Sequence, residues 1–127
     1  MKPAVNAYQV RQINAAVLGV SHLMLIAKLL SGAIDIILES RTDTRNEDMT
    51  AKGEHIKVAT SIISDGLRGS LNMDEGGELA QRLDALYAYM LQQLMKAHVE
   101  NDVTILDEIV ALLAEIKAGW DGIKDQV

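Results

Sequence analysis

The three histidines, His22, His55 and His98, are the residues best suited to acid–base or metal chemistry, and their neighbours decide whether they can do it. A carboxylate-bridged di-metal centre in a helical bundle needs Glu-x-x-His on two helices. The residues three positions before the histidines are Gly19, Lys52 and Met95, and none is a ligand of that kind. Glu54 precedes His55 directly, but adjacent residues diverge on a helix. The chain has no cysteine, which excludes disulfides and thiolate metal sites. No GxSxG, P-loop, GxGxxG or HExxH motif occurs, and Gly76–Gly77 stands in no phosphate-cradling context. Asp74, Glu75 and Glu78 gather where a helix begins, and there carboxylates suit the positive end of the helix dipole without any general-acid role. We therefore expect no catalytic residue, no metal and no cofactor; an enzyme is not expected.

Charge and composition narrow the remaining classes. The 127 residues carry a net charge of −6, and 49% of them are apolar, which suits one packed domain over residues 1–127. Residues 1–46 hold five basic and three acidic groups, whereas residues 47–127 hold seven and fifteen. No Lys/Arg cluster forms the basic face that nucleic acid requires, so nucleic acid is excluded as a partner. The longest nearly apolar stretch, Leu23–Leu38, is interrupted by Lys28, Ser31 and Asp35. It is shorter than the ~20 residues of a membrane span, so no membrane insertion is expected and the chain reads as soluble. The start MKPAVNAYQVRQ is not followed by the long apolar run of a signal peptide.

What must position any functional residue is helix. The single proline is Pro3, so no proline interrupts residues 4–127. The pattern predicts an amphipathic lead segment over Asn6–Leu18 and a helix over Ser21–Ser40 with Ser21 as N-cap. A polar loop follows over Arg41–Thr50, then a helix from Thr50 to about Leu71 and a glycine turn over Asn72–Gly77. A further helix spans Glu78–Glu100, Asn101–Asp102 breaks it, and Asp102 or Thr104 caps a last helix ending near Trp120. This organisation is all-α: an antiparallel four-helix bundle with a short extra N-terminal helix or arm over residues 1–18, and a frayed tail over residues 121–127. Leu79, Leu83, Leu86, Met90, Leu94 and Ala97 recur at steps of three and four and mark one core seam. Ile109, Leu112, Leu113, Ile116 and Trp120 mark another.

Two helices carry more apolar surface than one core face needs. In Ser21–Ser40 the polar residues Lys28, Ser31, Asp35 and Glu39 form one narrow stripe, and nearly everything else is apolar. No helix of a four-helix bundle is central, so something covers its second side: the lead segment, a second copy, or a partner. Glu78–Glu100 adds Tyr87, Leu91, Met95 and His98 on a face offset from its seam. Neighbouring helices can bury this surplus, or it can form a groove that takes an apolar helix of another protein.

The stretch from Ile62 to Trp120 carries a recognisable combination. Leu67 and Leu71 end a helix, Gly76–Gly77 makes a short acidic turn, and Ala80, Leu83, Leu86, Tyr87, Tyr89 and Met90 follow in a fixed register. Ala97 and Asp102 mark the next break, and a Leu-rich helix closes on Trp120. In these features, and in Asn6-Ala7-Tyr8-Gln9 and Gly32-Ala33-Ile34, the sequence resembles the flagellin-specific export chaperones of the FliS family over residues 6–120. It departs where the family has Thr-Ala-Ser-Pro, which reads Gly19-Val20-Ser21-His22 here. The resemblance implies a cytosolic bundle that binds the disordered, apolar C-terminal segment of flagellin. Binding prevents premature polymerisation and aids delivery to the cytoplasmic domain of the flagellar type III export gate. It also implies a monomer when free and a one-to-one complex with client. Client-facing residues expected on this basis are Leu25, Leu29, Ala33, Ile36, Ile56, Ile63, Leu67, Tyr87, Leu91 and Met95, each lying outside the best core stripe. Tyr8 is expected to dock the export gate or cap the groove. The alternative is a generic helical interaction module, another secretion chaperone or a homodimer, with a different client.

Overall fold

Apolar residues at helical spacing and no internal proline let helices propagate far along this chain. The computed structural model describes the backbone of residues 7–126 and the side chains of residues 22–122. Its helices are α1 (Ala7–Arg45), α2 (Met49–Ser61) continued by a π-helical segment (Ile62–Arg68), α3 (Gly77–Glu100) and α4 (Val103–Gln126). No strand occurs among the described residues. Contacts between neighbours run in opposite directions. Asp43 meets His55 while a Cβ on Gly66 would meet Leu29, which makes α1 and α2 antiparallel. Lys52 meets His98 while Arg68 meets Asp84, and Arg41 meets Asp107, so α3 opposes α2 and α4 opposes α1. The result is the expected antiparallel four-helix bundle.

The expected break between Leu18 and Ser21 is absent. α1 is one helix of 39 residues, roughly 58 Å long, with Ser21 inside it rather than at an N-cap. A glycine inside a helix costs about 1 kcal/mol, less than ending one helix and nucleating another. His22 stands where a proline would have forced a break. The lead segment is therefore the first part of α1 and not a separate element; its side chains, Tyr8 among them, lie outside the described residues.

The polar stretch expected as a loop is also helical as far as Arg45. Several of its polar groups have partners, although Arg41 Nε is buried without one. Thr44 Oγ1 donates to Ser40 O at 2.7 Å, Arg41 pairs with Asp107 of α4 at 2.7 Å, and Asp43 reaches His55 of α2. Asp48, not Thr50, caps α2 by accepting from Ala51 N at 3.1 Å. In the π segment Gly69 N donates to Ser64 O at 3.0 Å, five residues back, and the widened turn keeps both Ile63 and Leu67 in the core.

The glycine turn falls where expected. A Cβ on Gly76 would stand 2.5 Å from Ala80 Cβ and 2.6 Å from Asn72 O, and Gly77 has φ +55°. Gly76 thus has no room for a side chain, and Gly77 takes a left-handed backbone that favours glycine. Asn101, at φ 53°, ends α3, and Asp102 caps α4 by accepting from Thr104 N at 2.9 Å. α4 continues past Trp120 to Gln126, beyond the expected end.

The core is aliphatic around one phenol. Leu30, Ile37, Ile63, Leu67, Tyr87, Met90, Leu94, Leu106, Ile109 and Leu113 are fully buried. Burial pushes the Tyr87 phenol up to about 12. The first half of the α3 seam is shifted by one residue, with Ala80 and Tyr87 buried where Leu79 and Leu86 were expected, and Leu79 is 64% exposed; Met90, Leu94 and Ala97 are buried as expected.

Candidate binding surface

Ten residues were expected to face a client, and the bundle divides them evenly. Ala33, Ile56, Ile63, Leu67 and Tyr87 are buried in the core, which corrects the expectation that they line an open groove. The reason is positional. α2 is wedged between α1 and α3, so its main apolar face points inward and no outer groove receives it. Leu25 and Met95 are exposed, at 51% and 63%, and Leu29, Ile36 and Leu91 are half-buried.

These five surviving positions fall on two strips, one on each side of α2. On α1, Leu25, Leu29, Gly32 and Ile36 follow at steps of four, three and four, and Glu39 and Asp43 continue the same stripe. That stripe faces α2: a Cβ on Gly66 would lie 3.1 Å from Leu29, and one on Gly32 would lie 3.9 Å from Ile62. α2 contributes His55, Val58 and Ile62 at steps of three and four, and Val58 is 44% exposed. On α3 the stripe is Asp84, Ala88, Leu91, Met95 and His98. Its two ends are tied to the π segment and to α2. Arg68 Nε donates to Asp84 Oδ1 at 2.7 Å, and Lys52 Nζ donates to His98 O at 2.9 Å and to Asn101 Oδ1. Between these ties, Leu91 is half-buried and Met95 exposed.

A third apolar surface lies at the bundle end where α3 begins. Two cavities of about 210 Å³ each share Leu79, Leu83 and Trp120; one extends to His22 and Ile26, the other to Ile116 and Glu115. Local periodicity assigned Leu79, Leu83 and Trp120 to core seams and so missed this opening. The usable signal is that Leu79 and Leu83 lie in the first two turns of α3, beside the glycine turn, where fewer neighbours exist to cover them.

Electrostatics adds no catalytic centre. The Asp84 carboxyl is held below its ordinary value by the hydrogen bond from Arg68, and Asp102 by those from Thr104. The hydrogen bond to Glu108 raises the exposed Tyr89 phenol. Each shift has a structural partner and none lies in a cavity with a second reactive group. Among the described residues no group of three or more His, Asp and Glu is placed to hold a metal ion. No helix among them is long and apolar enough to cross a membrane. What the arrangement does offer is open apolar surface beside α2 and around Trp120.

A family model described as flagellar protein FliS matches residues 4–127. The chain belongs to the FliS family. Similar proteins include the flagellar secretion chaperone FliSB of Pseudomonas aeruginosa, 42% identical over 120 residues that make up 94% of each chain. The flagellar secretion chaperone FliS of Salmonella typhimurium is 34% identical over 116 residues, covering 91% of this chain and 86% of that one. The Bacillus subtilis flagellar secretion chaperone FliS is 31% identical over 114 residues, covering 90% and 80%. The FliS match reaches past both ends of the stretch that carries the resemblance in sequence, and FliS proteins are secretion chaperones, not enzymes.

Proposed function

We propose that this chaperone binds the apolar C-terminal segment of flagellin in the cytosol, keeps it from polymerising early and aids its delivery to the flagellar export gate. The observation that carries the reading is the apolar surface left over after the core is complete: Leu25, Val58, Met95 and Leu79 stay open beside a core that is fully packed without them. A disordered segment with apolar residues at helical spacing can lay short helices on the strips beside α2 and at the Trp120 end. Burying about 500 Å² of apolar surface there would yield on the order of 10 kcal/mol before ordering costs. The cost of ordering the client keeps the complex reversible, as release for export requires. Leu25, Leu29, Ile36, Leu91 and Met95 are the proposed contacts, and Tyr8 the proposed contact with the export gate or cap of the groove. The free chain is proposed to be a monomer and the complex one-to-one.

Titration calorimetry with a flagellin C-terminal fragment of about forty residues from the same genome tests this. We expect one-to-one binding with a large negative heat-capacity change, the mark of coupled folding and binding. No heat and no co-elution would overturn the flagellin reading and leave the bundle as a secretion chaperone for another client. A tight dimer in light scattering would overturn the monomer.

A further inference from the structure

The ring of His55 on α2 lies between two carboxylates of α1. Its Nδ1 is 2.5 Å from Asp43 Oδ2, and its Nε2 is 3.1 Å from Glu39 Oε2. An ionised carboxylate only accepts hydrogen bonds. A neutral imidazole has one N–H, so one of these two contacts would set a lone pair against a lone pair. The imidazolium, with an N–H on each nitrogen, satisfies both.

We propose that His55 is held as an imidazolium clasp between α1 and α2, and that the packing of these two helices loosens as this ring loses its proton. The clasp closes one end of the strip between the helices. Glu39 and Asp43 continue the stripe of Leu25, Leu29 and Ile36, and His55 begins the stripe of Val58 and Ile62. This inference does not depend on which client the chaperone carries.

The surroundings favour the charged ring. Glu39 and Asp43 of α1 and Asp48 of the connector are the charged groups acting on it, and all are anionic. Two of the nearby cations are engaged elsewhere: Arg41 pairs with Asp107 of α4, and Lys52 is turned to the C-terminus of α3. From α3 the titratable neighbour of α2 is His98, whose ring packs against Gly53 on the opposite flank. The Asp43 hydrogen bond is the main influence on His55; slight burial opposes it, the three carboxylates add to it, and the net effect raises the ring above 6.5. A raised folded-state value makes the stabilisation complete below the unfolded value and lost as pH rises through the folded one.

The test is an NMR titration of the imidazole nitrogens in the full chain from pH 5 to 9, with amide exchange followed in parallel. We expect both His55 nitrogens to be protonated at pH 7, a midpoint above 6.5, and a lower midpoint in Asp43→Asn. After correction for intrinsic pH dependence, exchange in α2 should quicken several-fold between pH 6 and 8.5, and His55→Gln should abolish that rise. A single neutral tautomer at pH 7, or a midpoint at or below 6.5, overturns the clasp. An exchange profile unchanged by His55→Gln overturns the coupling to packing. If His55→Gln does not fold, the wild-type exchange profile decides: its midpoint must coincide with that of the His55 ring, and a separate midpoint overturns the coupling.

Discussion

The two ends of this bundle are built on different principles. At the end where α1 turns into α2 and α3 into α4, the helices are tied by directional polar contacts. His55 sits between Glu39 and Asp43, Arg41 pairs with Asp107, and Lys52, only 3% exposed, donates into the C-terminus of α3. At the other end, Leu79, Leu83 and Trp120 surround two apolar cavities, and Leu79 is 64% exposed. Directional bonds hold one register and tolerate little change. Apolar contact is non-directional, so one apolar segment can replace another at little cost. The difference teaches how a small bundle can divide its work on the proposed function: the tied end would hold the frame, while the open end and the strips beside α2 offer the apolar surface a client could cover.

The largest effect is expected from breaking the tied end. Lys52 has no carboxylate partner in its hydrogen bonds; its ammonium satisfies His98 O and Asn101 Oδ1 at the negative pole of α3. Lys52→Ala would take the partner from the His98 carbonyl, release the exposed Asn101 to water and remove a buried side chain, and should lower stability by about 3 kcal/mol in chemical denaturation. A loss under about 1 kcal/mol would mean that this end is not held as described. Leu79→Asp should do the reverse at the open end. The side chain is exposed in the first turn of α3, where a carboxylate suits the helix dipole, so stability should stay within about 0.5 kcal/mol. Flagellin fragment affinity should fall about tenfold, roughly 1.4 kcal/mol, if the client uses this surface. Lost stability with intact affinity would instead make the open end ordinary core.

The parts of this fold legible in the sequence are those fixed by neighbours along the chain. The Gly76–Gly77 turn, the break at Asn101 and the Asp102 cap depend on backbone geometry within a few residues, and each lies where the sequence predicts it. The misread parts depend on residues far away. Arg41–Arg45 reads as loop because it is polar, yet Asp107 and His55, both distant in sequence, supply the partners that make its helix stable. Lys52 receives no structural role in the sequence, because nothing local announces the carbonyl it reaches at His98. The binding surface was half legible for the same reason. Periodicity shows that α1 and α3 carry a surplus of apolar positions, but which are covered depends on which helices flank them. So Ile56, Ile63 and Tyr87 went inward while Met95 stayed out.

The smallest expected effect sharpens the contrast through pH. Two titratable contacts flank α2 and its π extension, and they respond with opposite sign. The His55 clasp should weaken as pH rises. The pairing of Arg68 with Asp84 holds the Asp84 carboxyl below its ordinary 3.8, so its contribution is complete above that value and is lost as pH falls through the lowered one. Both partners of this second pair face solvent, so the effect should be slight and screened by salt. Asp84→Asn should therefore flatten the acid limb of a urea-denaturation series between about pH 4 and 2 by a barely measurable amount. It should leave the rise in α2 exchange above pH 6 untouched, since that rise belongs to His55 at the far end of the helix. A variant that altered both limbs would show that α2 and the π segment respond as one rigid unit, and the two ends would then no longer be independent.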